Sequence, residues 1–396
     1  MKTWPLPFLF PFLFLLSGCA SMAPHQAPPL APVFADAAFA PPSTPVSADD
    51  LFTLSPAMHA YLRSAPFAGT LRQRGAVEGL VDALYRKGDL QIRYDASSTR
   101  TAAQTFEARA GNCLSLVAMT AAFARELGMT VRLQRVGVDD SWSRSNGLYL
   151  VSEHINLALG PPPIERLGVA SSAPMMLVDF LPQQDAAAFS SVPLDEDDVA
   201  AMFLNNRAAE ALVAGRIDDA YWWARAAVLK RPASIKAYNT LAVIYQRHGD
   251  LALAEQVYRA ALVREPENLV VLRNLEPVLA RLGTHAEAQA IVKQRATIDP
   301  TPPVYFFQRG VKAYEQGAYA EAKALFAREV KRMPYYDEFH FWLALAYLRL
   351  GEPEPARVQL ALAFDTSTRG ATRDLYAAKL AHLRSLAASE RAVRYR

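Results

Sequence analysis

The chain has 396 residues, enough for two or three domains, and carries 42 basic against 39 acidic side chains for a net charge near +3. A balance this even gives no footing for nucleic acid, which is held through clustered cations, and no nucleic-acid partner is expected. The two cysteines, Cys19 and Cys113, allow one disulfide at most and exclude a disulfide-framed scaffold. Neither the histidine spacing nor any glycine-rich motif fits a metal or a phosphate, so no metal or other cofactor is expected.

Residues 1–18 read as a targeting segment. Lys2 is its only charge, and the apolar run from Leu6 to Leu16 is shorter than the roughly 20 residues that cross a bilayer. The run ends in Leu16-Ser17-Gly18-Cys19, which resembles the lipobox of bacterial lipoproteins. The resemblance implies lipidation of Cys19 as the new N-terminus. With Ala20 following, it also implies a place on the outer membrane facing the periplasm. Buried acyl chains, at about 0.8 kcal/mol per CH2, would make that anchor stable. Residues 20–49 are dominated by Pro and Ala and read as a tether without a core of its own.

Helical periodicity follows over 56–65 and 70–86, then an alternating stretch at 90–94 and a further helix over 101–109. Beyond Ala110-Gly111-Asn112, apolar residues recur at Leu116, Met119, Phe123 and Leu127. That spacing makes Cys113 the first residue of a buried helix closed by Gly128. A helix start carries roughly half a positive charge and free N–H groups. Both favour thiolate, and the N–H groups can hold an oxyanion. The plain alternative is a small core cysteine. Strands are expected over 130–136, over 151–159 with His154, and over 175–181 with Asp179 near its end. A thiol nucleophile needs a base, and the base an orienting group. Each of the three residues alone has an ordinary structural role, but antiparallel pairing of the last two strands would set His154 beside Asp179.

The stretches RAGNCLSLVAMTAAFARELGM, SEHINL and LVDF resemble the nucleophile, histidine and aspartate motifs of the transglutaminase-like superfamily. The likeness spans about 70–185. It implies an α+β papain-like domain over 51–190, with Cys113 as nucleophile, His154 as general base and Asp179 as orienting carboxylate. The implied chemistry is attack on a protein or peptide amide, giving a thioester that water or an amine resolves. Asn112 and Trp142 are candidates for a side-chain oxyanion donor.

From there the chain repeats. Gly215, Gly249, Gly283, Gly317 and Gly351 stand 34 residues apart, each followed five residues later by Ala220, Ala254, Ala288, Ala322 or Ala356. Pro232, Pro266, Pro300 and Pro334 keep the same step. Glycine ends a first helix in a left-handed cap, alanine lets a second pack closely, and proline stops that second helix. Over about 201–370 this resembles the tetratricopeptide repeat, with residues 371–386 as a capping helix. The expected fold is therefore an α+β transglutaminase-like domain followed by an all-α solenoid over 195–390. Glu276-Pro277 in the third unit predicts a kink or a looser helix. The acidic run Asp195–Asp198 fits a linker and helix start, with a calcium site as the minor alternative. Stacked helix pairs make a groove for a protein or peptide partner. Tyr221, Trp222, Trp223, Tyr335, Tyr336 and Trp342 are either its contacts or inter-repeat core. The rival to an enzyme is a non-catalytic scaffold in which the repeats do the work.

Overall fold

A computed structural model describes residues 34–85, 90–145, 148–161, 174–180, 190–301 and 304–394. Cys19, with the rest of residues 1–33, lies outside the described residues.

Helices α1 (Pro56–Leu62) and α2 (Ala65–Arg74) open on Ser55 and Ser64, whose hydroxyls accept from the Met58 and Phe67 N–H groups. The helix expected over 70–86 is broken at Gly75, whose φ of +83° suits glycine, and resumes as α3 (Ala76–Tyr85). The alternating stretch supplies only β1 (Arg93–Tyr94), paired in parallel with β2 (Ala110–Gly111). Between them α4 (Ala102–Ala108) starts in a capping box of Thr101 and Gln104. Cys113 then opens α5 (Cys113–Glu126), buried from Leu114 through Ala124. Gly128, at φ +72°, follows its end.

The strands form an antiparallel sheet of order β5-β4-β3-β6: β3 (Thr130–Ser145), β4 (Leu148–Gly160), β5 (Met176–Val178) and β6 (Ser191–Leu194). Strands β3 and β4 outrun their expected lengths because they form one long hairpin, with Val136 opposite His154. Strand β6 pairs with β3, Leu194 opposite Leu133, so this part of the chain extends past the expected limit at 190. Leu181, expected at the end of β5, lies outside the described residues.

Helix pairs make up the remainder: α6 (Glu196–Val213) with α7 (Ile217–Lys230), α8 (Ile235–His248) with α9 (Leu251–Arg264), and α10 (Leu269–Arg281) with α11 (His285–Ile298). Two more pairs follow, α12 (Tyr305–Glu315) with α13 (Tyr319–Arg332) and α14 (Asp337–Arg349) with α15 (Pro353–Thr366), ahead of α16 (Gly370–Arg394). The laddered glycines hold φ between +75° and +109°, and the laddered alanines are all buried. The acidic run caps α6, where Asp195 and Asp198 form a capping box and both pair with Arg231. Pro277 sits inside a continuous α10, so the expected irregularity is displaced. It falls one helix later. Helix α11 buries only Ala288 and Ile291, the first apolar core ends there, and a second starts at Val304, whose φ is +62°.

Two contacts between the modules are not contained in the sequence reading. First, the cysteine-bearing part packs directly on the solenoid. One apolar core runs through α5, the sheet and the helices from α6 to α11. Polar links join the same surfaces, Arg125 to Glu196 at 2.9 Å and Lys236 to Glu153 at 3.1 Å, and a separate bond runs from the Ala96 N–H to the carbonyl of Thr368, between α15 and α16, at 2.9 Å. Second, the tether, which has no core of its own, packs over its described length on the first repeat, where its sparse apolar and acidic residues find partners. Phe39 stacks on Tyr221 at 4.0 Å between centroids and 2° between planes, and it also meets Tyr245 and His248. Around it Ala35 N–H donates to the Tyr221 hydroxyl, Trp222 Nε1 to the Ala40 carbonyl, and Ser43 N and Oγ to Asp219. Residues 34–43 are thus a strap across α7 and the end of α8.

Candidate functional site

The site is built where α5 begins. Asn112 caps the helix, its Oδ1 accepting from Ser115 N at 3.0 Å and from Ser115 Oγ at 2.8 Å. Its Nδ2 donates to Thr99 Oγ1 at 2.8 Å. Asn112, a candidate oxyanion donor, thus caps the helix with its Oδ1 and commits an Nδ2 hydrogen to Thr99. Gly111 leaves no room for a side chain here, since a Cβ would sit 2.7 Å from the Ser115 Cβ. Trp142 lies on β3, with its side chain outside the described residues.

The structure brings the three expected residues to one place. His154, 4% exposed, and Asn156, fully buried, lie two apart on one face of β4. Val178 of β5 pairs with Leu157, so the next residue, Asp179, comes level with them. His154 Nε2 stands 2.8 Å from both Asp179 carboxylate oxygens, and Asn156 Nδ2 donates to Oδ2 at 2.7 Å. That leaves His154 Nδ1 buried with no partner at ordinary hydrogen-bond distance among the described residues, the Cys113 thiol being its neighbour, and Asn156 Oδ1 is likewise unpaired among them. The Cys113 Sγ is 3.9 Å from the carbonyl oxygen of Glu153, the residue before the histidine.

Electrostatics tie the groups together. Burial works against a charged His154, yet the bonds to Asp179 and the neighbouring Cys113 outweigh it and lift the imidazole to about 9. Near neutrality the ring therefore holds its proton, with Asp179 accepting from Nε2 and Nδ1 free to serve the sulfur. Tyr94 of β1 closes another side. Its phenol is kept protonated, chiefly by burial and then by the negative charge near Cys113 and Asp179. Such an arrangement can pass a proton from the imidazole to a leaving group beside the sulfur.

The sequence places Asn156 on the face of His154 without a role, and gives Tyr94 none. The alternation of His154 and Asn156 on β4 carries a signal for the second of them. Nothing local marks Tyr94, which reaches the site only through the parallel pairing of β1 with β2.

Comparison with known proteins bears on the other half of the chain. Residues 235–268 and 313–370 match the tetratricopeptide repeat family. Solved structures with similarity to the chain include a tetratricopeptide-repeat protein of Thermus thermophilus, at 21% identity and TM-score 0.31, covering 46% of this chain and 99% of that one. Another is YrrB, titled a repeat protein with an unusual peptide-binding site, at 20% identity and TM-score 0.25, covering 47% and 94%. A third is a repeat protein of Parabacteroides merdae, at 17% identity and TM-score 0.28, covering 47% and 72%. No curated protein matches the chain. The C-terminal region carries tetratricopeptide repeats, a kind of array that commonly binds protein or peptide partners.

Proposed function

We propose that this chain binds a protein or peptide through its repeats and cleaves or transfers a peptide amide at Cys113, in the manner of the transglutaminase-like superfamily. The observation that carries the reading is the orientation of His154. Asp179, itself held by Asn156, fixes the ring from the Nε2 side, and Nδ1 is left buried with the Cys113 thiol as its neighbour. In the reaction the Cys113 thiolate attacks the amide carbon. His154 gives its proton to the departing amine, and a thioester forms. Water or a second amine then attacks the thioester, His154 takes the proton from that nucleophile, and the acyl group leaves the sulfur.

An activated peptide ester tests this directly. Mixed with the protein and quenched in acid, it should leave an acyl adduct on the Cys113 peptide by mass spectrometry, and none in Cys113→Ala. An adduct of equal yield in Cys113→Ala would dismiss the reading.

A second reading, a non-catalytic interaction scaffold, is favoured by the family matches, which fall within the repeats. It predicts no adduct at all, together with partner capture that Cys113→Ala leaves intact. For location, the proposal is an acyl anchor at Cys19 on the outer membrane, facing the periplasm. A palmitate analogue fed to cells should label the protein and should fail to label Cys19→Ser.

A further inference from the structure

The loop between β1 and α4 is held from two sides. On the site side, Thr99 Oγ1 accepts from Asn112 Nδ2 at 2.8 Å, and the Arg100 N–H donates to Ser115 Oγ at 2.8 Å. On the solenoid side, the Thr99 N–H donates to Glu210 Oε1 at 2.6 Å, and Arg207 Nη1 donates to the Thr99 carbonyl at 3.4 Å. Glu210 and Arg207 both belong to α6 and pair with each other at 3.2 Å. Thr99 is 1% exposed, so water does not substitute for either set of partners. Removing one end leaves a buried polar group without its bond.

We infer that the first repeat helix positions the nucleophile, through a chain of hydrogen bonds from Glu210 to Thr99 to Asn112 at the start of the Cys113 helix. Each link constrains the next. The Glu210 carboxylate fixes the Thr99 backbone. The Thr99 hydroxyl holds the Asn112 amide in the one orientation that turns Oδ1 toward Ser115. That cap in turn sets the first turn of α5, of which Cys113 is the first residue. Around Glu210 the charged groups are Arg207 on its own helix and Arg100 in the loop. Around Cys113 they are His154, Asp179 and the phenol of Tyr94. Glu210 and Thr99 are positioning residues, since neither is in contact with the sulfur. The repeats are accordingly part of the site, and a partner that shifts α6 alters the reactivity of Cys113. This rests on the cysteine reading proposed above.

The test uses the whole protein and iodoacetamide at pH 7, with the alkylation rate at Cys113 read from its own peptide by mass spectrometry. Thr99→Val removes the hydroxyl and Thr99→Ser restores it. Glu210→Ala removes the acceptor and Glu210→Gln restores one. Thr99→Val and Glu210→Ala are expected to slow alkylation about tenfold, the effect of about 1.4 kcal/mol at the sulfur, while the two conservative variants keep the original rate. Melting temperature falls in Thr99→Val and Glu210→Ala under either role, so rates are compared well below every variant's melting temperature, where a merely structural role would leave them unchanged. Rates in Thr99→Val and Glu210→Ala equal to the unaltered protein overturn the inference alone. Alkylation of the unaltered protein no faster than a free cysteine peptide overturns the cysteine reading and this inference together.

Discussion

Replacing Phe39 by alanine tests how firmly the strap holds. The ring is 6% exposed, lies flat on Tyr221 and abuts Tyr245 and His248. Truncating a buried phenylalanine costs about 3–5 kcal/mol, and lost aromatic stacking contributes on the order of 1 kcal/mol within that. The strap meets the repeats through a few contacts, so it can undock without the repeats unfolding, and the loss is read most directly in that local opening. At 1.4 kcal/mol per decade, about 3 kcal/mol corresponds to roughly a hundredfold more opening. Hydrogen exchange reads this at three bonded amides: Ala35 to the Tyr221 hydroxyl, Ala40 to Asp218 and Ser43 to Asp219. All three should lose protection by about a hundredfold, or down to the unprotected rate, and should exchange well before buried α8 amides such as Leu241 and Ala242. Unchanged protection at Ala35, Ala40 and Ser43 would refute the reasoning.

Gly310→Ala should lower the melting temperature. Its Cβ would meet the Phe326 ring at 2.6 Å in the second apolar core, and overpacking of about 1–3 kcal/mol exceeds the gain of about 1 kcal/mol in helix propensity. Asp179→Asn keeps an acceptor for His154 but not the charge that supports the imidazolium. Acylation of Cys113 by the peptide ester should fall at least about a hundredfold. The same pair makes stability depend on pH. Folding raises the His154 pKa from about 6.5 to about 9, so the ring's contribution is complete below pH 6.5 and is lost as pH rises through 9. Melting temperatures across that window should fall more in the unaltered protein than in Asp179→Asn.

The repeats were legible because their chemistry is local. A left-handed cap at Gly249 or a close-packed Ala254 leaves a mark every 34 residues, whatever the rest of the chain does. The start of the Cys113 helix was legible for the same reason, since a Gly-Asn turn ahead of a run at three- and four-residue steps is a local signal. The placing of His154 beside Asp179 followed from strand order alone. What the pattern did not carry is long-range. The capping role of Asn112 depends on Thr99, and Thr99 depends on Glu210, 111 residues further on. The strap looked like a featureless Pro/Ala segment because Phe39 finds its partners at Tyr221 and Tyr245, in another part of the chain. The break in the solenoid core follows from the weakly apolar face of α11 and not from Pro277, which the helix accommodates.

The thiol, imidazole and carboxylate stand or fall together on the titration of His154. With histidine ring nitrogens labelled and the His154 signal assigned by its loss in His154→Gln, NMR should give a midpoint near 9, moving down toward 6.5 in Cys113→Ala and in Asp179→Asn. A midpoint near 6.5 in the unaltered protein, indifferent to Cys113→Ala, would contradict the account.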